Sequence, residues 1–157
     1  MRSLALSILA IGSLAFAPPA RAETRQITTV GYQVSLDRGE VVELANKRKV
    51  RVGMRSHATV VDQATREEFS QWCTGEAQLS EAGAPTIEAG YCALLADDGD
   101  VLWVSYFVSD PQRSQWTVIG GTGRYAGATG AGTAKLASER SDGYAWTLTS
   151  TGTLTTK

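Results

Sequence analysis

Apolar residues recur at every second position, or in short runs bounded by Gly, Asp and Ser, from Thr24 almost to the C-terminus. A period of two sends successive side chains to opposite faces of a strand, so this patterning argues against a helical bundle and for an all-β chain. The strand candidates are Thr24–Ser35, Glu40–Leu44, Lys49–Val61, Glu67–Leu79, Ile87–Ala96, Asp100–Ser109, Gln115–Ile119, Thr129–Ser138 and Tyr144–Leu154. One segment, Asp62–Phe69, offers a helix candidate with Asp62 as its N-cap, with room for only about two turns. Strands this short, with turn signals this dense, belong to a sandwich or a closed barrel.

The 157 residues suffice for one domain, and a chain 43% hydrophobic and 20% charged has the balance of a folded soluble protein. A formal net charge of −1 leaves no basic surplus, so no nucleic-acid partner is expected. Residues 1–22 read as a secretory signal peptide. Arg2 is the basic start, Leu4–Ala17 the apolar run, and Ala20-Arg21-Ala22 the small-x-small cleavage site after Pro18-Pro19. The run is shorter than the roughly 20 residues of a membrane-crossing helix, and no later stretch is long enough to span. The expectation is cleavage after Ala22, export to the periplasm or secretion, and one mature domain over residues 23–157.

Export places Cys73 and Cys92 where a disulfide persists. A hairpin folded between Ala82 and Gly83 sets these two residues opposite each other. Directly opposed residues have Cα atoms about 4.5–5.5 Å apart, which a disulfide accepts. The closed ring is short, and chain entropy assigns the bridge about 3 kcal/mol. A second hairpin is marked by Asp98-Gly99, which suits a two-residue type I′ turn. That turn pairs Asp97 with Asp100, Leu95 with Leu102, Ala93 with Val104 and Tyr91 with Tyr106.

The densest glycine segment, Gly120–Thr133, reads GGTGRYAGATGAGT after the apolar Trp116-Thr117-Val118-Ile119. Gly121-Thr-Gly123-Arg-Tyr-Ala126 satisfies a permissive dinucleotide-binding pattern, but that motif needs a helix directly afterwards to face the pyrophosphate. Gly127, Gly130 and Gly132 do not sustain one. The alternative is an apolar strand, a tight glycine turn and a glycine-relieved strand that re-enters a small barrel. In this form IGGTGRYAGATGAGT resembles the signature segment of the allene oxide cyclase and dirigent barrel-like superfamily, with exported bacterial members as the nearest expected relatives. The resemblance implies a small closed antiparallel β-barrel of about eight strands with a central cavity, often assembled as a homotrimer. It also implies work on apolar small molecules: cyclisation of an unstable fatty-acid epoxide, or steering of phenoxy-radical coupling. It assigns no catalytic residue here.

Other chemistry is sparse. His57 is the only histidine, and without HxxxH or HExxH no metal site is expected. Asp97, Asp98 and Asp100 lack the later Glu of an EF-hand, and Asp-Gly turn chemistry accounts for them. On strict alternation, Lys49, Arg51, Arg55 and His57 share one strand face opposite Val50, Val52 and Met54. This face is either a solvated outer wall or a lumen lining that grips an anionic head group. Trp72, Trp103, Trp116 and Trp146, with five Tyr, either line a pocket or, the preferred reading in a small barrel, fill core or cover an interface. Val101–Val108 is apolar on both faces, so one face fills the interior and the other meets a second surface, such as another subunit.

The expected function is therefore an exported barrel that binds an apolar or weakly anionic small molecule in its lumen and guides an isomerisation or cyclisation without a cofactor. The ligand-binding candidates are Arg51, Arg55, His57, Tyr91 and Tyr106. The competing expectation is a non-catalytic periplasmic or cell-surface interaction protein whose barrel is packed solid.

Overall fold

The computed structural model describes residues 22–110 and 112–157, so the signal segment lies outside the described residues except for Ala22. Nine strands follow one another: Glu23–Asp37 (β1), Glu40–Glu43 (β2), Lys49–Asp62 (β3), Glu68–Leu79 (β4), Pro85–Ala96 (β5), Val101–Asp110 (β6), Arg113–Gly121 (β7), Thr129–Glu139 (β8) and Ala145–Thr156 (β9). Every pairing is antiparallel, and β1 pairs with both β9 and β3. That second pairing closes β1 and β3–β9 into an eight-stranded barrel, with β2 as an extra strand on the edge of β3. Closure leaves the barrel strands without open edges, and inner and outer side chains alternate along each of them.

The Asp62–Phe69 helix does not form. Asp62 does cap, its Oδ1 accepting from the N–H groups of Ala64 (2.9 Å) and Thr65 (3.4 Å). The turn then ends at Arg66, whose φ of 62° is left-handed, and β4 begins two residues later. Cap chemistry made a turn because the following residues pair more favourably as a strand.

The Cys73–Cys92 pairing is present as a disulfide, with Cα atoms 4.1 Å apart in directly opposed register. The Asp98-Gly99 hairpin is present with a different register. Its loop has three residues, with Gly99 N–H bonded to Ala96 O and Ala96 N–H to Asp100 O. A three-residue loop of this kind needs a left-handed last residue, and Gly99 supplies it with φ 89°. Register slips by one, so Tyr106 faces Gly90 while Tyr91 faces Ser105. A one-residue slip sends a side chain to the other face, and the expected Tyr91–Tyr106 pair is split across the wall.

A second irregularity corrects the basic stripe. The β3–β4 ladder shifts between Arg51 and Met54, at a bulge containing Gly53 with φ 74°. The bulge restarts the alternation. Arg51 and Met54 therefore both line the lumen, whereas His57 points outwards and Arg55 reaches the rim.

The core lies at one end of the barrel. Ala58, Val60, Phe69, Ala96, Leu102, Val118, Tyr125, Ala128 and Leu154 form a buried cluster there. The glycine-rich signature builds the floor beneath it. Its short 3-10 turn, Gly123–Tyr125, inserts Tyr125 against Phe69 at a ring separation of 6.3 Å. Arg124 pairs with Glu67 and Asp98, its N–H donates to Asp100 Oδ2 (2.9 Å), and Tyr125 Oη donates to Glu67 Oε1 (2.9 Å). Arg25 completes the network through Asp62, which is 1% exposed. The signature thus ties the β3–β4 and β5–β6 connections to the β7–β8 connection and shuts one end.

Candidate functional site

Above that floor the barrel is hollow. The lumen encloses about 960 Å³, at the upper end of the range for small-molecule sites. Its lining is graded with depth. Ile27, Leu94, Leu102, Val104, Trp116 and Val118 form an apolar bottom against the core. At mid-height come the Cys73–Cys92 bridge, Gln71, whose Nε2 donates to Cys73 Sγ (3.0 Å), and the buried Gln33–Ser56 hydrogen bond. The rim carries Asp37, Arg38, Arg51, Arg113, Glu139, Arg140 and Asp142.

Glu88 and Tyr106 stand on the lumen wall, Tyr106 opposite Trp116 and Glu88 two residues beyond Gly90 towards the rim. Tyr106 Oη donates to Glu88 Oε1 at 2.9 Å. Burial holds the Glu88 carboxyl above the usual carboxylate range, against the opposing pull of the Tyr106 hydrogen bond and the Arg51 charge. Burial, with the charge and hydrogen bond of Glu88, pushes the Tyr106 hydroxyl up, so it is a neutral donor at physiological pH. A carboxyl with a raised pKa beside an apolar cavity keeps its proton to higher pH than an exposed one and is suited to acid–base work.

Rim arginines differ in what they are committed to. Arg55 pairs with Asp37 (3.1 Å) and Arg140 with Asp142 (2.6 Å), while Arg38 bonds Asp142 O and covers the Tyr144 ring. The Gly39 N–H and then Arg55 hold the Asp37 carboxyl below the ordinary aspartate value. Among the described residues, neither Arg51 nor Arg113 forms a salt bridge. Both remain available to an anionic group entering the mouth.

Of the five residues expected from sequence, Arg51 and Tyr106 are inside, and Arg55 lies at the rim, largely exposed and paired. His57 is outside, its ring 4.5 Å from that of Trp72 and its Nε2 bonded to Ser70 Oγ (3.0 Å). Tyr91 is outside and 59% exposed. Glu88 and Arg113 were missed, and Trp116, expected as core or interface, packs against the core and lines the cavity as well. For Glu88 a signal existed: it lies four residues before Cys92 on one strand, hence on the face of the disulfide.

No family model matches the chain, and no curated protein matches it in sequence. Among solved structures, the pterocarpan synthase dirigent protein GePTS1 superposes with a TM-score of 0.57 at 11% identity, covering 90% of this chain and 89% of its own. The chain has the dirigent-type barrel fold. A second dirigent protein, the pterocarpan synthase PsPTS1, aligns over 86% of this chain and 95% of its own at 11% identity, with a TM-score of 0.47. Within this dirigent-type barrel the glycine-rich segment serves as the floor, and the ionisable groups facing the cavity lie towards the other end.

Proposed function

We propose that this protein is an exported barrel that takes an apolar or weakly anionic small molecule into its lumen and guides its isomerisation or cyclisation. The observation that carries the reading is the open cavity of about 960 Å³ with the Glu88–Tyr106 pair on its wall. The competing expectation, a non-catalytic periplasmic or cell-surface interaction protein with a packed barrel, does not account for such a space. In the proposed reaction the apolar wall excludes water and holds the ligand in one folded shape, which removes much of the entropy barrier to ring closure. Glu88 gives its proton to a ligand oxygen and recovers one from the ligand as the rearrangement completes, so the chain is unchanged after each turnover. Arg51 and Arg113 hold a carboxylate or phenolate at the mouth.

Export is part of the reading. The signal segment, the start of β1 at Glu23 and the disulfide all support cleavage after Ala22 into an oxidising compartment. So is self-association, supported by the exposed aromatic outer wall of β4–β6, where Trp72, Tyr91, Trp103 and Phe107 stand clear of the barrel. Native mass spectrometry on protein taken from its own cell envelope tests the core of this proposal. The expected result is a stoichiometric small molecule, released on unfolding, whose loss follows Glu88→Gln or Arg51→Ala. Barrels that are empty when isolated and bind no apolar carboxylate added afterwards contradict it.

A further inference from the structure

We propose that the width of the lumen, and with it the choice of ligand, is set by two aromatic rings packed into glycine notches: Tyr106 at Gly75 and Gly90, and Trp116 at Gly132 and Gly152. The inference rests on the lumen reading above and adds which bodies enter: those broader than a single alkyl chain.

Tyr106 and Trp116 are direct cross-strand partners on β6 and β7, both on the lumen face. The interior of an eight-stranded barrel is just wide enough for side chains to fill it, so two large rings standing upright on one wall would block the bore. They do not, because they diverge. Tyr106 leans across β5 to β4, and Trp116 leans across β8 to β9. Each ring rests where the wall has no Cβ. A methyl group at Gly90 would come within 2.8 Å of Tyr106 Cε1, and one at Gly75 within 3.1 Å of Cζ as well as overlapping the hydroxyl. On the other side a methyl group at Gly132 would lie 2.7 Å from Trp116 Cε2, and one at Gly152 2.5 Å from Cζ2. A side chain at these positions would crowd the ring, and at Gly90, Gly132 and Gly152 also the neighbouring backbone oxygens of Thr74, Thr151 and Ala131.

The two rings are held differently. Tyr106 is anchored by its hydrogen bond to Glu88. Trp116 Nε1 is the one buried side-chain nitrogen or oxygen without a hydrogen-bond partner among the described residues, so packing, against the two glycines and the neighbouring core, sets that ring's place without a polar anchor. The bore therefore has one fixed and one compliant side. A single alkyl chain would touch part of this wall and leave the rest without contact, forfeiting dispersion energy that a fused-ring or branched skeleton collects.

The test compares two carboxylate probes, 1-pyrenebutyrate as the broad body and dodecanoate as the slim one, by calorimetric titration of the intact protein. The native protein should favour the broad probe by about tenfold or more. Gly152→Ala should weaken the broad probe by about tenfold and leave the slim one unchanged, and Trp116→Leu added to it should restore the broad probe. A methyl group at Gly152 also crowds Ala131 O, so Trp116→Leu alone provides a second arm that decides the matter if Gly152→Ala does not fold. Trp116→Leu should widen the bore and weaken the slim probe relative to the broad one. Equal affinity for both probes in the native protein, or equal shifts of both probes in the variants, overturns the width rule and leaves the lumen reading standing. Binding of neither probe overturns the two together.

Discussion

At the floor of the barrel Tyr125 is 2% exposed against Phe69, and the carboxylates of Glu67, Asp98 and Asp100 are each engaged by the backbone or side chains of residues 124–125. At the mouth β3 and β7 carry Arg51 and Arg113, without salt bridges among the described residues, and β5 carries Glu88 with a raised pKa beside an open cavity. Charges at the floor are consumed in closing the barrel; at the mouth Asp37, Arg55, Arg140 and Asp142 are paired with one another, whereas Arg51 and Arg113 have no such pairing among the described residues. Motif strength and functional weight are therefore inverted in this molecule. The segment that stands out in the sequence is architecture, and the groups suited to chemistry sit on ordinary strand positions.

The comparison predicts unequal responses to substitution. Tyr125→Ala should be the most damaging, removing a ring from the core and a hydroxyl from Glu67; a loss of about 4 kcal/mol in urea unfolding is expected. A loss below about 1 kcal/mol would mean the floor is not structural.

Asp62→Asn comes next, at about 2 kcal/mol, because it weakens a charged hydrogen bond to Arg25 from a buried position. Its pH signature has a definite sign. Burial alone would raise the Asp62 carboxyl, but the hydrogen bond from Arg25, the Ala64 N–H, the Arg25 charge and the Thr65 N–H outweigh it and hold it below the ordinary value of 3.8. Its stabilisation is full above that value and is lost as pH falls through the lower native one, so Asp62→Asn should flatten the acid limb of unfolding below about pH 4.

Glu88 predicts the opposite slope. Its native carboxyl titrates above the ordinary 4.5, so the folded protein binds the extra proton and stability falls as pH rises through that window. Glu88→Gln should abolish this fall and leave the protein at least as stable at neutral pH, while any turnover drops by about a hundredfold. Thermal melts of the two proteins across pH 4–8 check it.

The smallest effect belongs outside the wall. His57→Ala should change stability by no more than about 0.5 kcal/mol and leave probe binding untouched. Weakened lumen binding in that variant would break the distinction between inner and outer walls.

Much of this was legible in the chain. Alternation located all nine strands, and the Cys73–Cys92 register followed from one turn. The site was harder because lumen and exterior differ by a single residue of register. Strict alternation placed Arg51 with His57, and only the Gly53 bulge separates them. The Asp98-Gly99 pair signalled a hairpin correctly, but the expected two-residue loop holds three, and that slip separates Tyr91 from Tyr106. Glu88 carries no motif. Its chemistry comes from burial beside Tyr106, which closure of the barrel creates.

Photolabelling with an apolar carboxylate that carries a diazirine midway along its body, followed by peptide mapping, tests the central claim most directly. Saturable labels on lumen residues such as Met54, Leu94, Val104, Val108 and Leu136, competed by unlabelled carboxylate, are the predicted result. Labels confined to Trp72, Tyr91 and Trp103 on the outer wall would contradict it.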